Sequence, residues 1–222
     1  MKFAPGAYVF PGGSVDEADA DPAIAWHGPG PAEVGARLGA PVELARALVC
    51  AAVRETFEES GVLLAGEPDG PLPVPSGSSW EADRNALTAG SLTLTELLSR
   101  RGLAVRADLL VPWARWITPE AESRRFDARF FAAALPAGQH AAGHHAEADR
   151  TAWLRPADGI EAAKAGSISL FPPTAAVLNE FASCGLDDIL AQRRTVAAVL
   201  PVLAAEDGEV WLQLPDELAY PL

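Results

Sequence analysis

The chain has 222 residues, is 49% hydrophobic, and carries a formal net charge of -13 with a pI near 4.7. That length and apolar content suit one domain with a sizeable core, and a surface this acidic repels duplex nucleic acid. No apolar run is long enough for a bilayer, the N-terminus lacks a charged-then-apolar leader pattern, and the two cysteines, Cys50 and Cys184, make no disulfide framework, so the composition fits a cytoplasmic protein.

In chain order, Ala7 to Phe10 reads as a short strand that ends at Pro11-Gly12-Gly13, where glycine lets the backbone turn and approach a ligand. Residues 14–40 are acidic at Asp16, Glu17, Asp19 and Asp21, then Pro/Gly-rich around Trp26-His27-Gly28-Pro29. They read as a loop with a helical turn at 32–38, His27 being a loop histidine rather than a ligand. From Pro41 onward Leu44, Leu48 and Ala51 recur at helical spacing, and Gly61 is the C-terminal stop, so one helix is expected over this run. Residues 63–79, rich in Gly, Pro and Ser, read as a surface loop. Two amphipathic helices follow in 80–101, the second opened by a Thr93/Glu96 capping box.

Leu109 to Ile117 and Arg125 to Leu135 are strand patterns. Asp127 and Arg129 share one face of the second, either paired with each other or lining a cleft. His140, His144 and His145 cluster with Glu147 and Asp149, but in an Ala/Gly-rich loop without cysteine, a poor setting for zinc. Trp153 to Pro156 reads as a short strand before a helix at 157–165, and Pro172 opens a helix to about Ala182. The extension 186–222 holds two strands joined by Asp207-Gly208, a hairpin signal.

The chemistry gathers at Arg54-Glu55-Thr56-Phe57-Glu58-Glu59-Ser60-Gly61-Val62. Spacings of three and four put Glu55, Glu58 and Glu59 on one side of the last helical turn, where like charges repel by a few tenths of a kcal/mol per pair. A hard divalent cation reverses that sign. A solvated acidic helix end is the plain alternative.

With Phe10-Pro11-Gly12-Gly13 upstream, the pattern resembles that of the Nudix hydrolases, G-x5-E-x7-R-E-U-x-E-E-x-G-U with U aliphatic. Gly13 matches the opening glycine; Arg54, Glu55, Glu58, Glu59, Gly61 and Val62 match the closing half. Thr56 departs from the aliphatic slot. Gly13 to Val62 spans 50 residues where the pattern needs 23, so about 27 residues split the box, and the slot of the first glutamate, counted back from Arg54, falls on Arg46. A branch resembling the peroxisomal coenzyme A diphosphatases carries such an insertion.

The resemblance implies an α+β fold, an α/β/α sandwich with a mixed sheet between helices, as a single domain over 1–222 with 80–101 as a helical cap on the substrate side. A Nudix fold places a further strand or hairpin before the Pro-Gly-Gly bend, so the resemblance also implies an N-terminal truncation or a fold that dispenses with outer strands. It implies Mg²⁺ or Mn²⁺ on Glu55, Glu58 and Glu59, Arg54 orienting a carboxylate, and Glu58, Glu59 or Glu147 in the catalytic chemistry. Gly12, Gly13 and Arg129 would contact substrate. The implied partner is a small diphosphate, foremost coenzyme A or an acyl-CoA, with NADH, nucleotide sugars and dinucleoside polyphosphates open; a homodimer is compatible with it. A Nudix-fold module that binds a nucleotide without cleaving it is the competing class, and a helical domain with a chance motif is a third.

Overall fold

The computed structural model describes residues 7–68, 70–142, 151–206, 209–215, 218 and 220–221. In chain order the first elements are β1 (Ala7–Tyr8), a 3₁₀ turn (Glu17–Ala20), β2 (Trp26–His27), α1 (Pro31–Leu38), α2 (Val42–Ser60) and β3 (Ala65–Gly66). Next come α3 (Ser78–Thr88), α4 (Leu94–Arg101), β4 (Ala104–Arg106), β5 (Val111–Ile117) and β6 (Asp127–Ala132). The chain ends with α5 (Pro156–Lys164), β7 (Ser169–Leu170), α6 (Pro172–Ala182), α7 (Leu186–Leu190), β8 (Ala198–Val199), β9 (Val202–Glu206) and β10 (Glu209–Gln213). Two compact units form: one from Pro11–Val111 and Ala132–Ala152, the other from Lys2–Phe10, Pro112–Phe131 and Trp153–Leu222.

The first unit is built on α2. The helix stops where Gly61 takes a left-handed φ of 73°, and its N–H closes on the Phe57 carbonyl. Ala45, Val49, Val53 and Phe57 form its inward stripe and are at most 1% exposed. Of the residues whose spacing marks the helix in the sequence, Ala51 is buried, Leu48 half-buried and Leu44 39% exposed, so that spacing only partly coincides with the stripe that packs. Leu38 of α1, Leu94, Leu97 and Leu98 of α4 and Val105 of β4 complete this core. A mixed three-stranded sheet joins β2 parallel to β4 and β3 antiparallel to β4.

Both helices of segment 80–101 form, and the Thr93/Glu96 box is made: the Thr93 hydroxyl accepts from the Glu96 N–H, and the Glu96 carboxylate from the Thr93 N–H. The expected surface loop at 63–79 needs correction at its start. Leu63, Leu64 and Ala65 are at most 2% exposed. They enter the sheet through β3, and the buried side-chain amide of Gln139 continues the pairing, accepting from Leu63 N–H and donating to the carbonyls of Leu63 and Pro73.

In the second unit β5 lies between β6 and β8 and runs parallel to β8, β1 is parallel to β7, and β9 and β10 form the antiparallel hairpin read from Asp207-Gly208. Ile160, Ala175, Val177, Leu178 and Trp113 are buried. Trp113 meets Phe181 edge-on at 4.7 Å, and the Arg194 guanidinium lies 4.0 Å from its ring centre. The strand expected at Trp153 to Pro156 does not form: the backbone is extended at Arg155 but joins no ladder, Pro156 already belongs to α5, and Trp153 is 74% exposed. An extended apolar stretch becomes a strand only when a neighbour accepts its hydrogen bonds.

Candidate active site

The last turns of α2 carry the glutamates to the Pro-Gly-Gly bend. The Gly12 N–H donates to Glu59 Oε2 at 3.1 Å. A Cβ on Gly13 would lie 2.3 Å from Glu55 Oε1, so only glycine lets the bend approach this carboxylate without displacing it. The Glu55 and Glu58 side chains are 15% and 13% exposed. These acids are therefore held inward against the bend, not solvated at a free helix end.

Arg54, 8% exposed, ties the cluster together. Its Nη1 donates to Glu55 Oε1 at 2.9 Å and to Glu58 Oε1 at 3.2 Å. Its Nε and Nη2 grip both oxygens of Asp19 at 3.0 and 2.9 Å, and Nη2 also reaches the Ser14 carbonyl at 2.8 Å. Asp16 stands 3.7 Å away. Burial opposes the Arg54 charge, but Asp19, Glu55 and Glu58 outweigh it and hold the guanidinium above its ordinary value. Burial pushes the Glu55 and Glu58 carboxyls up, against the pull of Arg54.

Asp19 is the residue that sequence reasoning missed. The slot of the first signature glutamate, sought by counting back from Arg54, falls on Arg46. Counting forward from Gly13 by the same G-x5-E spacing lands on Asp19, and Asp19, 1% exposed, is the acid that Arg54 grips. Arg46 does other work: it donates to the Ile24 carbonyl at 3.3 Å and lies over the Trp26 ring, pinning the inserted segment to α2.

The other expected residues are placed as follows. Arg129 belongs to the second unit, where its side chain is 4% exposed and pairs with Asp127. Asp127 is also held by a two-pronged bridge from Arg115, and these partners keep its carboxyl below the usual carboxylate value. The pairing reading of Asp127 and Arg129 thus holds. Glu147, His144, His145 and Asp149 lie outside the described residues. His140 is exposed. Cys50 and Cys184 are free, and burial pushes the Cys50 thiol up to about 12.

Among the described residues no three His, Cys, Asp or Glu side chains converge as a ready-made metal cage. The donor chemistry nevertheless fits a divalent cation. Asp16, Asp19, Glu55 and Glu58 set four carboxylates around one guanidinium, leaving an excess of hard oxygen donors and negative charge.

A carboxylate-bearing helix end, locked by its own arginine against a Pro-Gly-Gly bend, defines a protein of the Nudix class. A crystal structure of a Nudix hydrolase from Alicyclobacillus acidocaldarius matches with a TM-score of 0.70 and 30% identity, over 88% of this chain and 85% of that one, so the fold is the α+β Nudix fold. The family described as NUDT19 Nudix domain matches residues 31–181, and the chain belongs to that family. It is similar to the acyl-coenzyme A diphosphatase NUDT19 of Gallus gallus, 31% identical over 99% of this chain and 70% of that protein. The Homo sapiens protein of the same name is 29% identical over 77% of this chain, which spans 55% of the human length.

Proposed function

We propose that this chain is a divalent-metal-dependent diphosphatase whose substrate is coenzyme A or an acyl-CoA, and that both compact units belong to one Nudix domain. The observation that carries the proposal is the Arg54-centred carboxylate cluster against Gly12-Gly13. The split box and the names of the chicken and human relatives support the substrate class. The family match, which runs through both units, supports the single domain.

Glu55, Glu58 and Glu59 would hold Mg²⁺ or Mn²⁺, which when bound neutralises phosphate charge and lowers the pKa of water. The chain's own residues supply the rest. Arg54 fixes the rotamers of Glu55 and Glu58, and Asp19 fixes Arg54, so the carboxylates do not have to be ordered when substrate arrives. The Gly12 N–H holds Glu59 by one oxygen. One water adds across the anhydride: its oxygen goes to one phosphorus, the bridging oxygen leaves with the other, and Glu59 or Glu147 takes the proton. Two free cysteines, one buried with a raised pKa, accord with a reducing cytoplasm. Among the described residues no helix is long and apolar enough to cross a membrane.

The test is a substrate panel with Mg²⁺ and Mn²⁺, read by product mass: coenzyme A, an acyl-CoA, NADH, a nucleotide sugar and a dinucleoside polyphosphate. Cleavage of coenzyme A or the acyl-CoA to 3′,5′-ADP and a 4′-phosphopantetheine product is expected. Glu58→Gln and Glu59→Gln should each lower kcat by about 10³-fold or more while the protein stays folded. Tight nucleotide binding with no metal-stimulated product would instead make the chain a binding module.

A further inference from the structure

Arg84 sits on α3, outside the signature motif, and is 3% exposed. Among the described residues it forms no salt bridge; its hydrogen bonds go to main-chain carbonyls. Nε donates to the Glu58 carbonyl at 2.8 Å and Nη2 to the Ala142 carbonyl at 2.9 Å. A buried cation is costly unless its charge is offset. Burial pulls the Arg84 guanidinium below its ordinary value, and the Glu81 carboxylate, which it does not bond, offsets part of that. What Arg84 grips instead includes a carbonyl at the C-terminal end of the 19-residue helix α2, where unpaired carbonyls concentrate negative potential.

The carbonyls of that final turn are shared out among specific donors. Gly61 N–H takes Phe57, Arg84 takes Glu58, and Ala142 N–H takes Ser60 at 2.8 Å. Arg84 thus holds two stretches of main chain at one place: the turn bearing the glutamates, and the backbone at Ala142. Its grip on Glu58 complements that of Arg54. One arginine fixes the main chain of Glu58 and the other its carboxylate.

Arg101 gives the contrast. It joins α3 to α4 through Asp83 and Ser79 and stacks 3.6 Å from the centre of the Trp80 ring, which meets Phe57 of α2 edge-on at 6.0 Å; among the described residues Arg101 itself makes no hydrogen bond or ion pair to α2. Tying the helices to each other is therefore the task of Arg101; reaching the carboxylate turn is that of Arg84.

We infer that Arg84 is a positioning residue for the Glu55, Glu58 and Glu59 cluster, acting through the Glu58 main chain to set where those oxygens meet a divalent cation. The inference rests on the metal-dependent reading above. It extends the active site beyond the box: the helical segment between β3 and β4 supplies a part that the signature motif lacks.

The experiment measures Mn²⁺ binding by electron paramagnetic resonance, without substrate, on the wild type, Arg84→Met, Arg84→Lys and Arg101→Met, alongside kcat, KM and Tm. Arg84→Met should weaken Mn²⁺ binding about tenfold or more and lower kcat by a similar factor, with KM within about twofold. Arg84→Lys, which keeps the charge but loses the fork, should recover part of both. Arg101→Met should lower Tm yet keep wild-type Mn²⁺ affinity. If Arg84→Met does not fold, Arg84→Lys decides, with affinity about threefold weaker or more expected. Wild-type Mn²⁺ affinity in the deciding Arg84 variant would overturn the inference, as would an equal loss in Arg101→Met, which would reduce Arg84 to general stability. A wild type that binds no Mn²⁺ would overturn the metal reading itself, and this inference with it.

Discussion

Arg54 shows how one side chain converts a repulsive sequence into a usable site. The motif places acids three and four apart, and the inserted segment adds Asp19 from 35 residues away in the chain. A bidentate guanidinium suits that arrangement better than a lysine would, because it binds several carboxylates in fixed directions. The space for Glu55 is equally specific, since any Cβ at position 13 meets its carboxylate. Gly13→Ala should therefore displace a flexible tip rather than the core. Stability should fall by less than about 1 kcal/mol, while kcat/KM falls about 100-fold through misplaced oxygen ligands. Parallel thermal melts and kinetics check this, and a variant with normal turnover would remove Gly13 from the site. Most of this cluster is legible in the residues, because Arg54, Glu55, Glu58 and Glu59 are contiguous. Asp19 is hidden by a side chain one methylene shorter than the pattern's glutamate, and by an insertion that makes the count differ from each end.

At the scale of elements, legibility follows the length of the pattern. α2, α3 and α4 each run through two or more turns and carry sequence marks at their ends: Gly61 after α2, and the Thr93/Glu96 box before α4. The sheet of β2, β3 and β4 does not announce itself, since its strands are two or three residues long and alternation needs at least four. Its closure also depends on Gln139, whose amide substitutes for main-chain pairing beside Leu63 from 76 residues away. No local pattern encodes that partnership. Gln139→Leu keeps the apolar volume but strips partners from the Leu63 N–H and from the Leu63 and Pro73 carbonyls. A loss of about 2–3 kcal/mol in unfolding free energy is expected, measured by denaturant titration with the m-value unchanged. A loss within about 0.5 kcal/mol would mean that water replaces the amide, and that the strand does not need it.

For the molecule as a whole, a net charge of -13 sets a problem that the site has to solve. An anionic substrate approaches a like-charged surface, and the carboxylates that would serve it add to the repulsion. A bound dication relieves both at once, so metal binding should couple to folding: an ion that binds the native state and not the unfolded chain stabilises by RT ln(1 + [M]/Kd), about 2.7 kcal/mol at 100 times Kd. For a chain of this size that corresponds to a rise in Tm of about 5–10 °C. General screening of an acidic surface by Mn²⁺ would also raise Tm, but Glu58→Gln would then respond as the wild type does, and added monovalent salt would mimic the effect. A saturable Mn²⁺ shift that survives 0.2 M KCl (about physiological screening), disappears on chelation and is absent in Glu58→Gln locates the coupling at the box helix. A shift that is equal in wild type and Glu58→Gln would assign it to the acidic surface, and the fourfold carboxylate arrangement around Arg54 would then be a device for holding the insertion rather than for chemistry.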